Sequence, residues 1–314
     1  MVLADRERSA RFRVAALVSG LGWHVQDLER AAAGLGFEFR ALSFPKITGW
    51  MGMPNPAHGG LTAGGLDLAD CDGVLVRMMP PGTLEQVVFR MDSLHRLQAL
   101  GMPILNPPSA VEAAVDKYLA LARMEAAGLP VPPTWAGESA ADALDAYDRL
   151  GGDAILKPLF GSEGRGMIRV ESRELAWRAF NTVERLGSVL YLQKMIPNPG
   201  FDLRVFVLGD RVLGAIQRKA PTGDWRANVA VGGKASVYAP DAEVERLALA
   251  AARAVGARMA GVDILPDRDG RLWVIEVNAV PGWKAFGAVM RVDVAAEILL
   301  ELRAMAASRK ESGS

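Results

Sequence analysis

The segment Gly261–Asn278 constrains the fold most, because it holds two apolar runs joined by a short polar turn. The turn, Asp267–Gly270, is rich in residues that favour tight turns, so the segment predicts an antiparallel β-hairpin. With the hairpin centred in the middle of this turn, Asp263 is expected opposite Val274. The chain is therefore expected to contain an antiparallel sheet near its carboxyl end.

Three oxygen-bearing side chains share one face of this hairpin. Side chains alternate along a strand, so Asp263, Glu276 and Asn278 are expected on the same side, while Ile275 and Val277 face the other way. Hard oxygen ligands of this kind suit Mg²⁺, which keeps waters and bridges substrate phosphates. The three residues therefore predict a metal site. The alternative is that they are ordinary solvated residues on an outward strand face.

A glycine-rich loop, residues 160–166 (Phe-Gly-Ser-Glu-Gly-Arg-Gly), follows a short strand that ends near Lys157. Its glycines allow a close approach of backbone N–H groups to a phosphate, and Lys157 supplies a fixed positive charge. The loop is not a P-loop, because Gly-Lys-Ser/Thr is absent and a strand follows it. A plain hairpin turn is the alternative interpretation of the loop.

A set of polar residues precedes the metal hairpin. Asp202 and Arg204 lie on one face of a strand, Arg218 ends the next strand, and a loop with Arg226 and Asn228 follows. Arginine suits bidentate contact with carboxylate or phosphate. Taken singly, each arginine is better interpreted as an ordinary surface charge, so only the whole set indicates an anion site.

The composition excludes several classes of function. The 36 Lys+Arg residues balance 36 Asp+Glu residues, so no overall positive field favours nucleic acid or an anionic membrane. Cys71 is the single cysteine, which excludes an intramolecular disulfide and a cysteine-based zinc site. With neither a signal-peptide core nor a transmembrane run, the cytoplasm is the expected location.

The order of elements predicts the fold class. Strands at 13–19, 38–44, 73–78 and 103–105 alternate with helices, which indicates a doubly wound parallel sheet. Residues 45–65 are expected to form one long loop, and 110–128 a helix. The expected class is α/β and α+β, with an N-terminal parallel-sheet lobe, a small central lobe and a C-terminal antiparallel-sheet lobe. The expected boundaries of these lobes are 12–108, 109–195 and 196–307.

Together and in this order, these elements resemble the ATP-grasp superfamily, and within it ligases that add glutamate to ribosomal protein S6 and to cofactors. The resemblance covers roughly residues 110–299. It implies ATP with one or two magnesium ions, for which Mn²⁺ can substitute, and it matches Asp263, Glu276 and Asn278 to the magnesium ligands. The expected ATP-binding residues are Lys117, Lys157, Gly161, Ser162, Gly164, Gly166, Gln193, Lys194, Ile196, Asp202 and Arg226.

The implied activity is ATP-dependent carboxylate–amine ligation through an acyl-phosphate. Arg204, Arg218 and Asn228 are assigned to the acyl-phosphate and the reacting carboxylate. The stretch at residues 82–95 resembles ligases of bacterial one-carbon metabolism that uses tetrahydromethanopterin and a methanofuran-like cofactor. The expected substrates are therefore L-glutamate and a small-molecule carboxylate, which is a one-carbon carrier cofactor or its precursor. Related ligases are often oligomers, which implies a homo-oligomer.

Two residues of the N-terminal lobe are candidates for substrate binding. Arg77 ends a predicted strand, where ligands bind in open α/β sheets, so it is expected to anchor a substrate carboxylate. His24 follows the first strand in an equivalent position, although its place favours an ordinary residue at the start of a helix over a catalytic one. Two alternatives to the cofactor ligase stay open. One is a ligase that modifies a protein or carrier-protein terminus, and the other is a nucleotide-binding regulator without turnover.

Overall fold

The computed structural model describes residues 11–52, 60–161, 165–221 and 234–312. The chain divides into two compact units. Unit 1 contains the described residues up to Val111, together with Ala257–Met259 and those from Ala279 onward. Unit 2 contains Glu112–Gly256 and Ala260–Asn278. The three lobes expected from the sequence are a finer division, and they stay a prediction.

The described residues form sixteen strands and nine α-helices, with short 3-10 turns at Phe44–Lys46 and Leu68–Asp70. The strands are β1 (Arg13–Val18), β2 (Glu38–Ser43), β3 (Ile47–Gly49), β4 (Leu61–Ala63), β5 (Leu66–Asp67), β6 (Gly73–Val76), β7 (Ile104–Leu105), β8 (Thr134–Gly137), β9 (Ala154–Lys157), β10 (Ile168–Val170), β11 (Leu190–Lys194), β12 (Phe201–Leu208), β13 (Arg211–Lys219), β14 (Lys234–Tyr238), β15 (Met259–Pro266) and β16 (Leu272–Asn278). The helices are α1 (Trp23–Leu35), α2 (Leu84–Ala99), α3 (Pro108–Val115), α4 (Lys117–Ala126), α5 (Ala140–Arg149), α6 (Arg173–Arg185), α7 (Ala242–Val255), α8 (Lys284–Met290) and α9 (Val294–Ser312).

Unit 1 is built on a four-stranded sheet of order β2-β1-β6-β7, whose neighbouring strands are all parallel. Ala15 and Val74 on one face pack in a cluster with Leu94 of α2. The opposite face receives α9, because a Cβ on Gly73 would lie only 2.8 Å from Cγ of Leu302. Helices therefore cover both faces, which confirms the doubly wound parallel sheet.

The prediction of one long loop over residues 45–65 is wrong for its described parts. Two stretches of it, Ile47–Gly49 and Leu61–Ala63, are strands of a small antiparallel sheet of order β3-β4-β5. Residues 53–59 lie outside the described residues. Ile47 and Leu61 are buried in the same apolar cluster as α2. Burial against that distant helix stabilises strands too short to give a periodic signal of their own.

Unit 2 contains a four-stranded sheet of order β10-β9-β11-β8 and a five-stranded sheet of order β14-β13-β12-β15-β16. Leu156 and Leu192 of the first sheet pack against Tyr147 of α5 and Phe180 of α6. Because side chains alternate along a strand, the residues directly before and after Leu156 on β9 and Leu192 on β11 face away from these helices. That free face of the first sheet is where the polar side chains of the candidate site lie.

The helix expected over residues 110–128 is two helices, α3 and α4. Asp116 separates the two helices, because it is the N-cap of α4. Its carboxylate accepts the backbone N–H groups of Tyr118 and Leu119 at 2.9 and 3.1 Å. Lys117 is consequently the first residue of α4. Among the described residues, no helix has the length and apolar character needed to cross a membrane.

Candidate functional site

A cleft in unit 2 is lined by both of its sheets. Ile155 and Met167 on the side of the first sheet, and Leu265 and Ile275 of the second, give the cleft apolar surfaces. Its polar lining includes Lys117, Lys157, Gln193, Asp202, Asp263 and Glu276. Apolar walls with a few convergent polar groups are typical of a site for a small organic ligand. The apolar walls were missed in the sequence, because their residues look like any other strand residues.

The hairpin β15–β16 has a different register from the one predicted. Asp263 lies opposite Glu276, and Val274 lies opposite Ile264, with a β-bulge between these two pairs. The expectation that Asp263 faces Val274 is therefore wrong, because the bulge leaves Ile275 as an extra residue on β16. The bulge places the carboxylates of Asp263 and Glu276 on directly opposite residues, where cross-strand Cβ atoms are about 5 Å apart.

The donor set at this hairpin fits a magnesium ion. Asn278 lies opposite Gly261, two residues beyond Glu276 and on the same strand face. Two carboxylates and one amide oxygen are a suitable partial shell for Mg²⁺, which usually takes its remaining ligands from water and substrate phosphates. Within the described parts of the chain, no cluster of three or more His, Cys, Asp and Glu side chains could hold a metal ion. Any site here therefore depends on the amide and on non-protein ligands.

Asp263 is engaged by two arginines. Arg204 donates to both of its carboxylate oxygens, through Nε to Oδ1 and through Nη2 to Oδ2 at 2.9 Å. Nη2 of Arg218 lies 2.9 Å from Oδ2 of the same residue. Burial alone would raise the pKa of Asp263, but the charges of Arg204 and Arg218 outweigh it and lower the pKa. This carboxylate is therefore ionised and paired with both arginines.

Arg218 links Asp263 to a second acid. Its Nε and Nη2 atoms each donate to a carboxylate oxygen of Asp202 at 2.7 Å. All three side chains are buried, with relative exposures of 4 to 5%. The arginines assigned from the sequence to the reacting carboxylate thus form, in this structure, a ladder of ion pairs with Asp202 and Asp263.

Two lysines face the carboxylates from the first sheet and α4. Nζ of Lys157 donates to Oε1 of Gln193 at 2.6 Å, and Nζ of Lys117 donates to the carbonyl oxygen of Gly161 at 2.7 Å. Burial lowers the pKa of Lys157 to about 8, with Glu276 opposing the shift and Lys117 adding to it. Burial also lowers the pKa of Lys117, and Glu276 again opposes it. The charge of Glu276 therefore acts on both ammonium groups.

The glycine loop and the strand end beside it complete the described site. Gly161 and Gly166 have φ of 139° and 72°, which non-glycine residues rarely adopt. Lys194 and Ile196, at the end of β11 and just after it, also line the cleft. Four expected residues, Ser162, Gly164, Arg226 and Asn228, lie outside the described residues. Arg165 lines the cleft as well, although the sequence interpretation had singled out only the glycines and serine of its loop.

The two expected substrate residues belong to unit 1, where they meet around Trp283. Arg77 follows β6 and donates through Nη1 to the carbonyl oxygen of Pro281 at 3.0 Å, while its guanidinium carbon lies 4.6 Å from the centre of the Trp283 ring. Burial lowers the pKa of Arg77 to about 10. Nε2 of His24 accepts the backbone N–H of Trp283 at 3.2 Å. Burial first, and then the charge of Arg77, lower the pKa of His24 to about 4, so this ring is neutral.

Trp283 was missed in the sequence. It is 1% exposed, and its indole N–H donates to Asp27 of α1 at 2.8 Å. The only available signal was a tryptophan directly after the Val-Pro-Gly turn at residues 280–282. That turn is distant in sequence from α1 and β6, so the cluster could not be assembled from local patterns.

These features define the class of protein. The sequence matches the RimK-like ATP-grasp domain over residues 114–302, and the chain belongs to that family. Solved structures with TM-scores of 0.75 and 0.69 show the same ATP-grasp fold. The first is the ATP-grasp ligase PsnB complexed with a phosphomimetic variant of minimal precursor, Mg and ADP, 23% identical, covering 93% of this chain and 98% of PsnB. The second is a RimK domain ATP-grasp protein from Sphaerobacter thermophilus, 24% identical, covering 91% of this chain and 97% of that protein.

Similar curated proteins are named as glutamate ligases. The tetrahydromethanopterin:alpha-L-glutamate ligase of Methanosarcina acetivorans is 40% identical over 214 residues, 65% of this chain and 66% of the relative. The ligase of the same name from Methanococcus maripaludis is 38% identical over 175 residues, 54% of this chain and 59% of the relative. A probable alpha-L-glutamate ligase of Parasynechococcus marenigrum is 33% identical over 241 residues, 76% of this chain and 51% of the relative. The chain thus spans about half to two thirds of the length of these relatives.

Proposed function

We propose that this protein is an ATP-dependent carboxylate–amine ligase that adds L-glutamate to a one-carbon carrier cofactor or its precursor. The observation that carries the proposal is the convergence of Lys117 and Lys157 with Asp263 and Glu276 in one cleft of unit 2. Two cations beside a pair of carboxylates can bind the phosphates and the metal ion of a nucleoside triphosphate. Family membership and the names of the relatives support the same activity.

ATP occupies the cleft of unit 2 in this proposal. Its base lies between the apolar walls, beside Lys194 and Ile196, and its ribose hydroxyls bond to Asp202. The phosphates lie against Lys117, Lys157 and the backbone of the glycine loop, whose expected contacts are Gly161, Ser162, Gly164 and Gly166. Gln193 borders the same pocket, and Arg226 adds a further phosphate contact. Fixed cations of this kind offset the charge that develops during phosphoryl transfer.

Asp263, Glu276 and Asn278 would hold magnesium, as one ion or two. When bound, the metal would offset the negative charge of the phosphates. The lowered pKa of Asp263 supports this role, because a ligand must be deprotonated. Mn²⁺, which also accepts oxygen ligands, is expected to substitute.

The reaction has two steps. An oxygen of the substrate carboxylate attacks the γ-phosphorus of ATP, the bond to ADP breaks, and an acyl-phosphate forms. The neutral amine of glutamate then attacks the acyl carbon, phosphate leaves with the electron pair of the broken C–O bond, and the amine loses a proton. Arg204, Arg218 and Asn228 are proposed to bind the acyl-phosphate and the reacting carboxylate, for which Arg204 would exchange part of its pairing with Asp263.

Arg77 and His24 are the proposed substrate residues of unit 1. A buried guanidinium bonded to a carbonyl oxygen, rather than to an acid, retains its charge for an anionic ligand. The neutral His24 ring adds no charge of its own at physiological pH. We propose that this cluster anchors a carboxylate of the acceptor.

The test is mass spectrometry of the purified protein with MgATP, L-glutamate and small-molecule extract of a one-carbon-metabolising bacterium, with ADP measured in parallel. Glutamate-dependent ADP and a product heavier by one or more glutamyl units are expected. Adduct formation only on a protein such as ribosomal protein S6, or on a carrier-protein terminus, would replace the acceptor with a macromolecule. ATP binding without ADP formation in any mixture would support a regulator and refute the ligase.

A further inference from the structure

Three polar side chains lie in a row across β8, β11 and β9 in the first sheet of unit 2. Gln193 is the direct cross-strand partner of Thr134 on β8 and of Ile155 on β9. Lys157 is two residues beyond Ile155, so it lies on the same face and diagonal to Gln193. The strand register therefore aligns Thr134, Gln193 and Lys157 on the face that lines the cleft.

The row is joined by hydrogen bonds whose direction is fixed. The Thr134 hydroxyl donates to the carbonyl oxygen of Pro132 at 2.8 Å. Its oxygen accepts from Nε2 of Gln193 at 3.0 Å, and Oε1 of Gln193 accepts from Nζ of Lys157 at 2.6 Å. A carbonyl oxygen cannot donate, so the Pro132 contact orients the hydroxyl. The hydroxyl oxygen then accepts from the NH2 end of the Gln193 amide, while the ammonium, which can only donate, takes the oxygen end.

We propose that Thr134 is a positioning residue, which acts through the Gln193 amide to hold the Lys157 ammonium toward bound phosphate. Gln193 is only 2% exposed, so an amide group left without its partner would not be satisfied by bulk water. An amide oxygen also orients the ammonium without neutralising it, whereas a carboxylate in its place would compete with phosphate for the charge.

This inference rests on the proposed nucleotide site, and it separates phosphate binding from base binding. Replacement of Thr134 by Val removes the hydroxyl but keeps the shape, so Gln193 loses its orientation while the apolar walls of the cleft stay intact. The affinity for ATP should fall, because Lys157 contacts phosphate. The affinity for adenosine, which carries no phosphate, should not change.

The experiment is isothermal titration calorimetry of the full chain with MgATP and, separately, with adenosine. For Thr134→Val, the Kd for MgATP should rise about five- to tenfold, the loss expected for one net hydrogen bond, while the Kd for adenosine stays as in wild type. Thr134→Ser keeps the hydroxyl and should restore the wild-type Kd for MgATP. Thr182→Val, at an exposed α6 position whose hydroxyl donates to the Arg178 carbonyl oxygen, is the matched control and should bind both ligands normally.

Tyr191 lies two residues from Gln193 on the same strand face, diagonal to Thr134, so a double-mutant cycle tests whether Gln193 carries the effect. In a Gln193→Met background, Thr134→Val should cause no further loss of MgATP affinity. A full additional loss in that background would overturn the inference. So would an equal loss for adenosine and MgATP, or failure of Thr134→Ser to restore affinity. Absence of MgATP binding by the wild type would instead refute the proposed function, and with it the inference.

Discussion

The affinity for ATP should fall as the pH rises through the pKa of Lys157. Burial lowers that pKa to about 8 in the free protein, and only the charged ammonium attracts phosphate. The phosphates of ATP are already ionised in this range, because the second pKa of a phosphate group is about 6. The lysine is therefore expected to be the group that changes charge as binding weakens.

The size of the effect follows from the fraction of charged lysine. With a pKa of about 8, the ammonium form is about 90% populated at pH 7 and about 9% at pH 9. If ATP binds only the charged form, its Kd should rise about tenfold over this interval. The same shift predicts that folding stability increases with pH above about 8, because the unfolded lysine then holds more protons than the folded one.

The assay is titration calorimetry with MgATP at constant ionic strength between pH 7 and pH 9. Lys157→Arg is the informative variant, because a guanidinium stays charged throughout, so its Kd should be nearly independent of pH. A flat profile in the wild type would refute the assignment of Lys157 to phosphate. If the Kd of Lys157→Arg still rises with pH, the titrating group is Lys117, whose pKa is also lowered by burial.

Three further predictions concern the metal site, the ion-pair ladder and the close contact in unit 1. Glu276→Gln should reduce ADP formation to background, because the variant loses the charge of a proposed metal ligand; turnover is measured with saturating MgATP. Arg218→Met should lower the free energy of unfolding by roughly 3–5 kcal/mol, because Asp202 is left buried without its partner; urea denaturation measures this. Gly73→Ala should destabilise by about 1–3 kcal/mol in the same assay, because the new Cβ would lie 2.8 Å from Leu302.

Each of these variants has a matched control. Asp269→Asn changes an exposed acid in the same hairpin and should leave turnover intact. Arg178→Met removes an exposed ion pair with Glu174, which should cost at most about 0.5 kcal/mol. Gly34→Ala, a helical position with no atom within 4 Å of the added carbon, should be neutral or stabilising. Wild-type turnover in Glu276→Gln, or wild-type stability in Arg218→Met or Gly73→Ala, would contradict the corresponding argument.

Local patterns in the sequence were sufficient for most elements of the fold. The first strand was expected at 13–19 and is Arg13–Val18, and the helix expected to separate the strands at 73–78 and 103–105 is Leu84–Ala99. Both depend on the spacing of apolar residues, which differs between a strand and a helix and is visible within a short window. The same reasoning located the hairpin at β15–β16 and the types of side chain at its polar face.

Only the tertiary structure decided how these pieces meet. The bulge beside Asp263 moved the hairpin register and set Glu276 opposite it, although the turn sequence favoured a regular ladder. The pairing of Arg204 with Asp263 and the gathering of His24 around Trp283 join residues 59 and 259 positions apart. Such contacts depend on packing between distant elements, and on the low dielectric that burial creates, neither of which leaves a periodic trace in the sequence.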